Sequence, residues 1–208
     1  MLVLGKSNVM STYRESAPSS PNTAPGELEL VRQFVNTLAL DEAVDSLADA
    51  AGLRAWLLEH QLLSRGAQIS EIERERAVEL RESLRDVLAG HTEGRVGTAA
   101  VRRLDAVIRE IPMRMRVDDG GCVRVDAAGS GLDGALGEIL ARAHAAMEDG
   151  SWQRLKACGD VSCRWAFFDH SKNRSGHWCD MSVCGNRNKV HAFRTRKAAH
   201  QAKPSKHR

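Results

Sequence analysis

The sequence predicts a mainly α fold: a helical domain with a small β-hairpin, followed by a small four-cysteine module that ends in a basic helix. Three observations predict it. Apolar residues recur at helical spacing through most of residues 26–150. One stretch, MRMRVDDGGCVRVD, instead alternates apolar and charged residues on both sides of an Asp-Gly turn signal. Near the end, four cysteines form two matched pairs and a basic segment follows them. The 208 residues suffice for one ordinary domain plus a small module.

The chain opens with residues 1–25, where SAPSSPNTAP is too rich in Pro and Ser to build a core, so disorder is expected. Met10 offers an alternative start. In LELVRQFVNTLAL, Val31, Phe34, Val35 and Leu38 share one helical face. Asp45 or Ser46 is the expected cap of the next helix, DSLADAAGLRAWLLEHQLL, with Leu47, Leu53, Trp56 and Leu57 inward and Gly52 as a weak point. ISEIERERAVELRESLRDVLAG carries Ser70 and Glu73 as a capping box and is expected to stop at Gly90. A fourth helix is expected from about Gly97 to Glu110, with Leu104, Val107 and Ile108 inward. The hairpin places Met113, Met115 and Val117 opposite Val123 and Val125. A fifth helix, from about Leu132 to Glu148, presents Leu136, Ile139, Leu140, Ala143 and Met147.

No catalytic constellation is visible in this body, and its carboxylates fall on the polar faces of amphipathic helices. A non-enzyme is therefore expected. His60, His91 and His144 read as surface or capping residues, and Cys122 as a small packing residue. Asn36 interrupts an apolar face, which points to an internal backbone hydrogen bond, with a ligand contact as the alternative. No apolar run approaches the ~20 residues that cross a bilayer. The opening MLVLGKSNVM lacks a leader's apolar stretch and cleavage site, so a reducing cytoplasm is expected.

Charge is divided along the chain. Residues 1–150 carry 17 Lys and Arg against 24 Asp and Glu, whereas 151–208 carry 13 against 3, a net of −7 and then +10. No acidic residue follows Asp180. That division points to a polyanion partner at the basic end.

Cys158, Cys163, Cys179 and Cys184 follow the spacing C-x4-C-x15-C-x4-C. Two pairs of thiolates can reach the four corners of a tetrahedral zinc site, and a closed set of this kind is structural. Disulfides, an iron–sulfur cluster or a catalytic thiol are the alternatives, and His170 or His177 could replace a thiolate. Trp165, Phe167, Phe168 and Trp178 are the expected mini-core of a loop too short to fold without metal. After the last ligand, GNRNKVHAFRTRKAAHQAK can continue as a helix, with Val190 and Phe193 expected to pack against the zinc module. Arg187, His191 and Arg194 would flank that stripe on one side, and Lys189 and Arg196 on the other.

The stretch LKACGDVSCRWAFFDHSKNRSGHWCDMSVCGNRNKVHAFRTRK resembles the CGNR zinc finger. It has both cysteine pairs, the aromatic run after Cys163, Asp169-x-Ser171, Asn173-Arg174, Trp178 before Cys179, and the basic helix. FVNTLAL at 34–40 and LRAWLLEHQLL at 53–63 are similar to the helical ABATE domain that precedes this finger in bacterial proteins. The resemblance implies a stress-induced transcription regulator whose four cysteines hold one structural Zn²⁺ and whose finger binds DNA. On that reading Lys172, Arg174, Arg187, Lys189, Arg194, Arg196 and Lys197 contact DNA, and the helical domain senses a small-molecule effector or protein partner. A homodimer would suit repeated half-sites. The alternative is a zinc-stabilised RNA- or protein-interaction module. Gly176 and His177 stand where family members often have arginines, which removes one or two phosphate contacts. The expected boundaries are 26–150 for the helical domain, 151–200 for the finger and 201–208 for a basic tail.

Overall fold

The computed structural model describes residues 22–201, and side chains through 197. Most of the expected N-terminal disorder and nearly all of the basic tail lie outside these residues. Among them are six helices and three two-stranded antiparallel hairpins.

Helix α1 spans Leu28–Val35 and buries Val31, Phe34 and Val35. It stops earlier than its apolar periodicity suggests. The Val35 carbonyl accepts a hydrogen bond from the buried Arg85 guanidinium (2.6 Å), and the Thr37 hydroxyl donates to the Phe34 carbonyl (2.8 Å). With its last carbonyls satisfied from outside, the helix ends. Leu38 therefore belongs to a short strand, β1 (Leu38–Ala39), paired with β2 (Val44–Asp45).

Helix α2, Ala50–Glu59, is capped by Asp49, whose carboxylate accepts the Gly52 amide (2.7 Å). Asp45, an expected cap, instead pairs with the buried Arg81 through both oxygens (2.6 and 3.0 Å). Gly52 is not a break: an added Cβ there would lie 2.2 Å from the Ser46 carbonyl oxygen.

Helix α3, Glu71–Glu93, has the Ser70–Glu73 capping box, but it runs through Gly90 and ends at Gly94 in the left-handed conformation. Gly90 is there for clearance, because a Cβ would come within 2.6 Å of the Val96 Cα. Gly90→Ala should cost about 1–3 kcal/mol through overpacking, measured by urea unfolding.

Helix α4 (Thr98–Arg109) matches its expected span but has no fully buried residue. Leu104 and Val107 are half-buried, and Ile108 is exposed. Its Arg103 grips Glu79 on α3 with two bonds (2.7 and 3.0 Å). Strands β3 (Met113–Val117) and β4 (Val123–Ala127) form the expected hairpin. Its base rests on Gly137 of helix α5 (Gly131–Glu148), while Met115, Val117 and Val123 are exposed. Cys122 is exposed in the turn rather than packed, and its amide donates to Asp118 (2.9 Å). Met147 is also exposed at the end of α5, whose Leu136, Ile139, Leu140 and Ala143 are buried as expected.

The core does not end with the helices. Strands β5 (Leu155–Ala157) and β6 (Ala166–Phe168) add Leu155, Ala157, Ala166 and Phe168 to the apolar cluster built by α1, α2, α3 and α5. Phe168, expected in the finger's own mini-core, therefore belongs to the body.

Candidate metal centre and its basic helix

Alternation along β5 and β6 divides the two cores. Leu155, Ala157, Ala166 and Phe168 face the helices, while Phe167 packs with the four cysteines, against which Trp165 and Trp178 also lie. Three side chains of the body lock this hairpin in place. The Asn36 amide donates to the Ala166 carbonyl (2.9 Å) and accepts the Ala166 amide (2.7 Å). The internal hydrogen bond expected for Asn36 is thus a two-way bond across 130 positions of sequence. Thr92 donates its hydroxyl to the Ala157 carbonyl, and His91 donates Nδ1–H to the Leu155 carbonyl (2.8 Å).

His91 also meets Trp152 edge-on. Burial holds its pKa below the ordinary value, outweighing the Leu155 bond, and Lys156 pushes it in the same direction. The unfolded chain therefore binds the proton more readily than the folded one. Stability from the neutral ring is complete above about pH 6.5 and declines as pH falls below that value. The melting temperature of His91→Asn should fall less between pH 7 and 5 than that of the unaltered protein. Parallel thermal melts at equal zinc loading check this.

Cys158, Cys163, Cys179 and Cys184 are all buried, with sulfur atoms within 4.8 Å of one another. Two of the separations are 3.6 Å (Cys163–Cys179) and 3.8 Å (Cys179–Cys184). A tetrahedron with Zn–S bonds of about 2.3 Å has edges of about 3.8 Å, so the thiols fit one zinc ion with all four positions filled. The site is structural. Among the thiols alone, hydrogen bonds from Cys163 and then Cys179 bring Cys158 down to about 2, whereas Cys163 and Cys179 are pushed up. Four charges cannot crowd this space without a cation.

Each cysteine pair brackets the same polar turn. In the first, the Asp160 carboxylate accepts the Ser162 amide (3.0 Å) and hydroxyl (2.7 Å); in the second, Asp180 accepts those of Ser182 (2.7 and 2.6 Å). The repeated Asp-x-Ser is the sequence signal for these turns. Asp160 then does more. Its other oxygen receives Arg187 Nε (2.6 Å) and Asn188 Nδ2 (2.8 Å), joining the first pair to the start of helix α6 (Asn186–Gln201). Arg187 also donates to the Cys184 sulfur (3.4 Å). Burial works to raise the Asp160 pKa, but bonds from Ser162 and Arg187 prevail and keep it low.

A second buried pair shapes the loop between the ligand pairs. Lys156 donates to Asp169 (2.7 Å) and to the carbonyls of Arg174 (2.6 Å) and Gly176 (3.0 Å). Asp169 accepts the amides of Ser171 (3.0 Å) and Gly176 (2.7 Å). Burial works to raise its pKa, yet Lys156 and Ser171 lead the bonds that bring it to about 2. A Cβ on Gly176 would meet the Asp169 carboxylate at 2.7 Å, which accounts for glycine before His177. His177 and His170 are outside the sulfur cluster: the first stacks edge-on with Trp178, and the second bonds the Thr23 carbonyl (2.9 Å).

The expected DNA contacts fall into two groups. Lys172 and Arg174 are exposed on the Lys156–Asp169 loop, and Lys189, Arg194, Arg196 and Lys197 are exposed along α6. Among the described residues none of these six pairs with a carboxylate, whereas Arg187 is held by Asp160. One expectation is reversed. Val190 and Phe193 do not pack against the zinc module; they are 47% and 61% exposed. The helix is anchored by polar bonds from Arg187 and Asn188, not by its apolar stripe. The bonds of Asp160 to Arg187, of Lys156 to Asp169 and of Asn36 to Ala166 carry no signal in the sequence, because each joins residues too far apart for local pattern to encode.

Two comparisons bear on this architecture. Residues 28–149 match the ABATE family model, whose description reads "Putative stress-induced transcription regulator". Residues 154–197 match the CGNR zinc finger. No curated protein matches the chain. No helix among the described residues is long and apolar enough to cross a membrane.

Proposed function

The chain belongs to the ABATE family and carries a CGNR zinc finger, and from that premise we propose that it is a DNA-binding transcription regulator. The structural zinc positions α6 on duplex DNA, and the helical domain responds to a ligand or partner. The observation that carries the reading is the set of six exposed cations that have no carboxylate partner among the described residues, displayed by the loop between the ligand pairs and by the helix that follows the last ligand. Phosphate oxygens are their natural acceptors. Regulation is supported by the junction: Asn36, just past the end of α1, and His91 and Thr92 of α3 are bonded directly to the finger's strands. A groove of about 690 Å³ beside the end of α2, lined by Arg54, Leu58, Glu59 and Arg65 among others, is the candidate effector site.

Electrophoretic mobility shift with zinc-loaded protein tests the reading. Log K should fall with log salt concentration by about 0.9 for each phosphate neutralised, and Arg194→Ala or Arg196→Ala should each reduce the slope by about that amount. Duplex DNA should bind more tightly than single-stranded RNA of equal length. Preference for the RNA would favour an RNA-binding module, and failure to bind any duplex at low salt would remove the proposal.

A further inference from the structure

Helix α6 exposes an apolar stripe where a soluble protein would ordinarily bury it. At 3.6 residues per turn, Asn188, His191 and Thr195 share one side of α6, the side held to the zinc site by the bonds of Asn188 to Asp160 and to the Cys184 carbonyl. Val190 and Phe193 lie on the opposite side. Lys189 and Arg196 border them along one edge and Arg194 along the other, and residues 189–197 are all exposed. The outward face therefore carries Val190 and Phe193 in its middle, followed in the same line by Lys197 one turn on, with cations on both margins and no acidic residue after Asp180.

That arrangement matches one surface in particular. The major groove admits an α-helix between two rows of phosphates, and its floor carries one apolar group, the C5-methyl of thymine. Resting on the DNA-binding reading above, we infer that Val190 and Phe193 read thymine methyl groups in the major groove while the flanking cations straddle its phosphate walls. The charge on both margins argues for this occupant over a neutral protein groove. An anionic membrane surface shares the chemistry of apolar contact plus cations, so it enters the test as an opposing outcome.

The probes are a short alternating dA–dT duplex, the same duplex with uracil in place of thymine, and vesicles of phosphatidylcholine with phosphatidylserine. Uracil removes only the methyl group. The unaltered zinc-loaded protein should bind the thymine duplex at least about fourfold more tightly, the effect of burying one methyl. Val190→Ala with Phe193→Ala should lose that preference while keeping the zinc content and salt slope of the unaltered protein. Equal affinity for the two duplexes overturns the inference and leaves DNA binding intact, as does a thymine preference that survives in the double variant. Binding to vesicles with none to either duplex overturns both the inference and the reading beneath it.

Discussion

Stripping the zinc with a chelator is expected to unfold the finger and to lower the melting temperature of the helical domain with it. The second core has five buried residues, four of which are the ligands themselves. Without metal, little remains to hold it. A structural zinc site of this type contributes an apparent 10–16 kcal/mol or so at neutral pH, comparable with the ~5–15 kcal/mol that keeps a whole domain folded. The loss spreads because Leu155, Ala157, Ala166 and Phe168 sit in the helical core. Trp152, buried beside His91, reports from that core. Tryptophan fluorescence and circular dichroism melts, with metal content measured at one zinc per chain beforehand, check the expectation. Cys184→Ser should reproduce it. A helical domain whose melt is indifferent to chelation would refute the shared core.

Asn36→Ala should destabilise the folded chain by about 2–5 kcal/mol without touching a ligand. The substitution leaves both the amide and the carbonyl of Ala166 without their partner in a buried place, and each orphaned group costs about 1–3 kcal/mol. For a chain of this size that corresponds to a fall of roughly 5–15 °C in melting temperature. Asn36→Asp should be at least as harmful, since a carboxylate oxygen would then face the Ala166 carbonyl. Urea unfolding of the two variants beside the parent protein measures both effects.

How much of this was legible in advance depended on how local each signal is. The cysteine spacing and the Ser70–Glu73 box lie within a few residues of the structure they specify, and both read correctly. The end of α1 did not, because the apolar period continues across Asn36 and Thr37 while the cause of termination, Arg85, lies on another helix. Gly52 and Gly90 looked like helix breakers, yet each clears a backbone segment that sequence alone does not bring near. The stripe of Val190 and Phe193 was visible as a stripe, but periodicity says which residues share a face and not what that face meets. Its orientation follows from the bonds of Arg187 and Asn188 to Asp160, a residue of the first cysteine pair some 27 positions earlier in the sequence.

That single carboxylate gives α6 a mechanical character. The helix is clamped at its root by Arg187 and Asn188, and Lys197 stands about 15 Å further along at 1.5 Å per residue. A lever of that reach multiplies error: a tilt of about 10° at the clamp moves the far cations by about 3 Å, roughly the length of one hydrogen bond. Loosening the Asp160 fork would leave every charge in place and still take the tip of the helix out of register with whatever it grips.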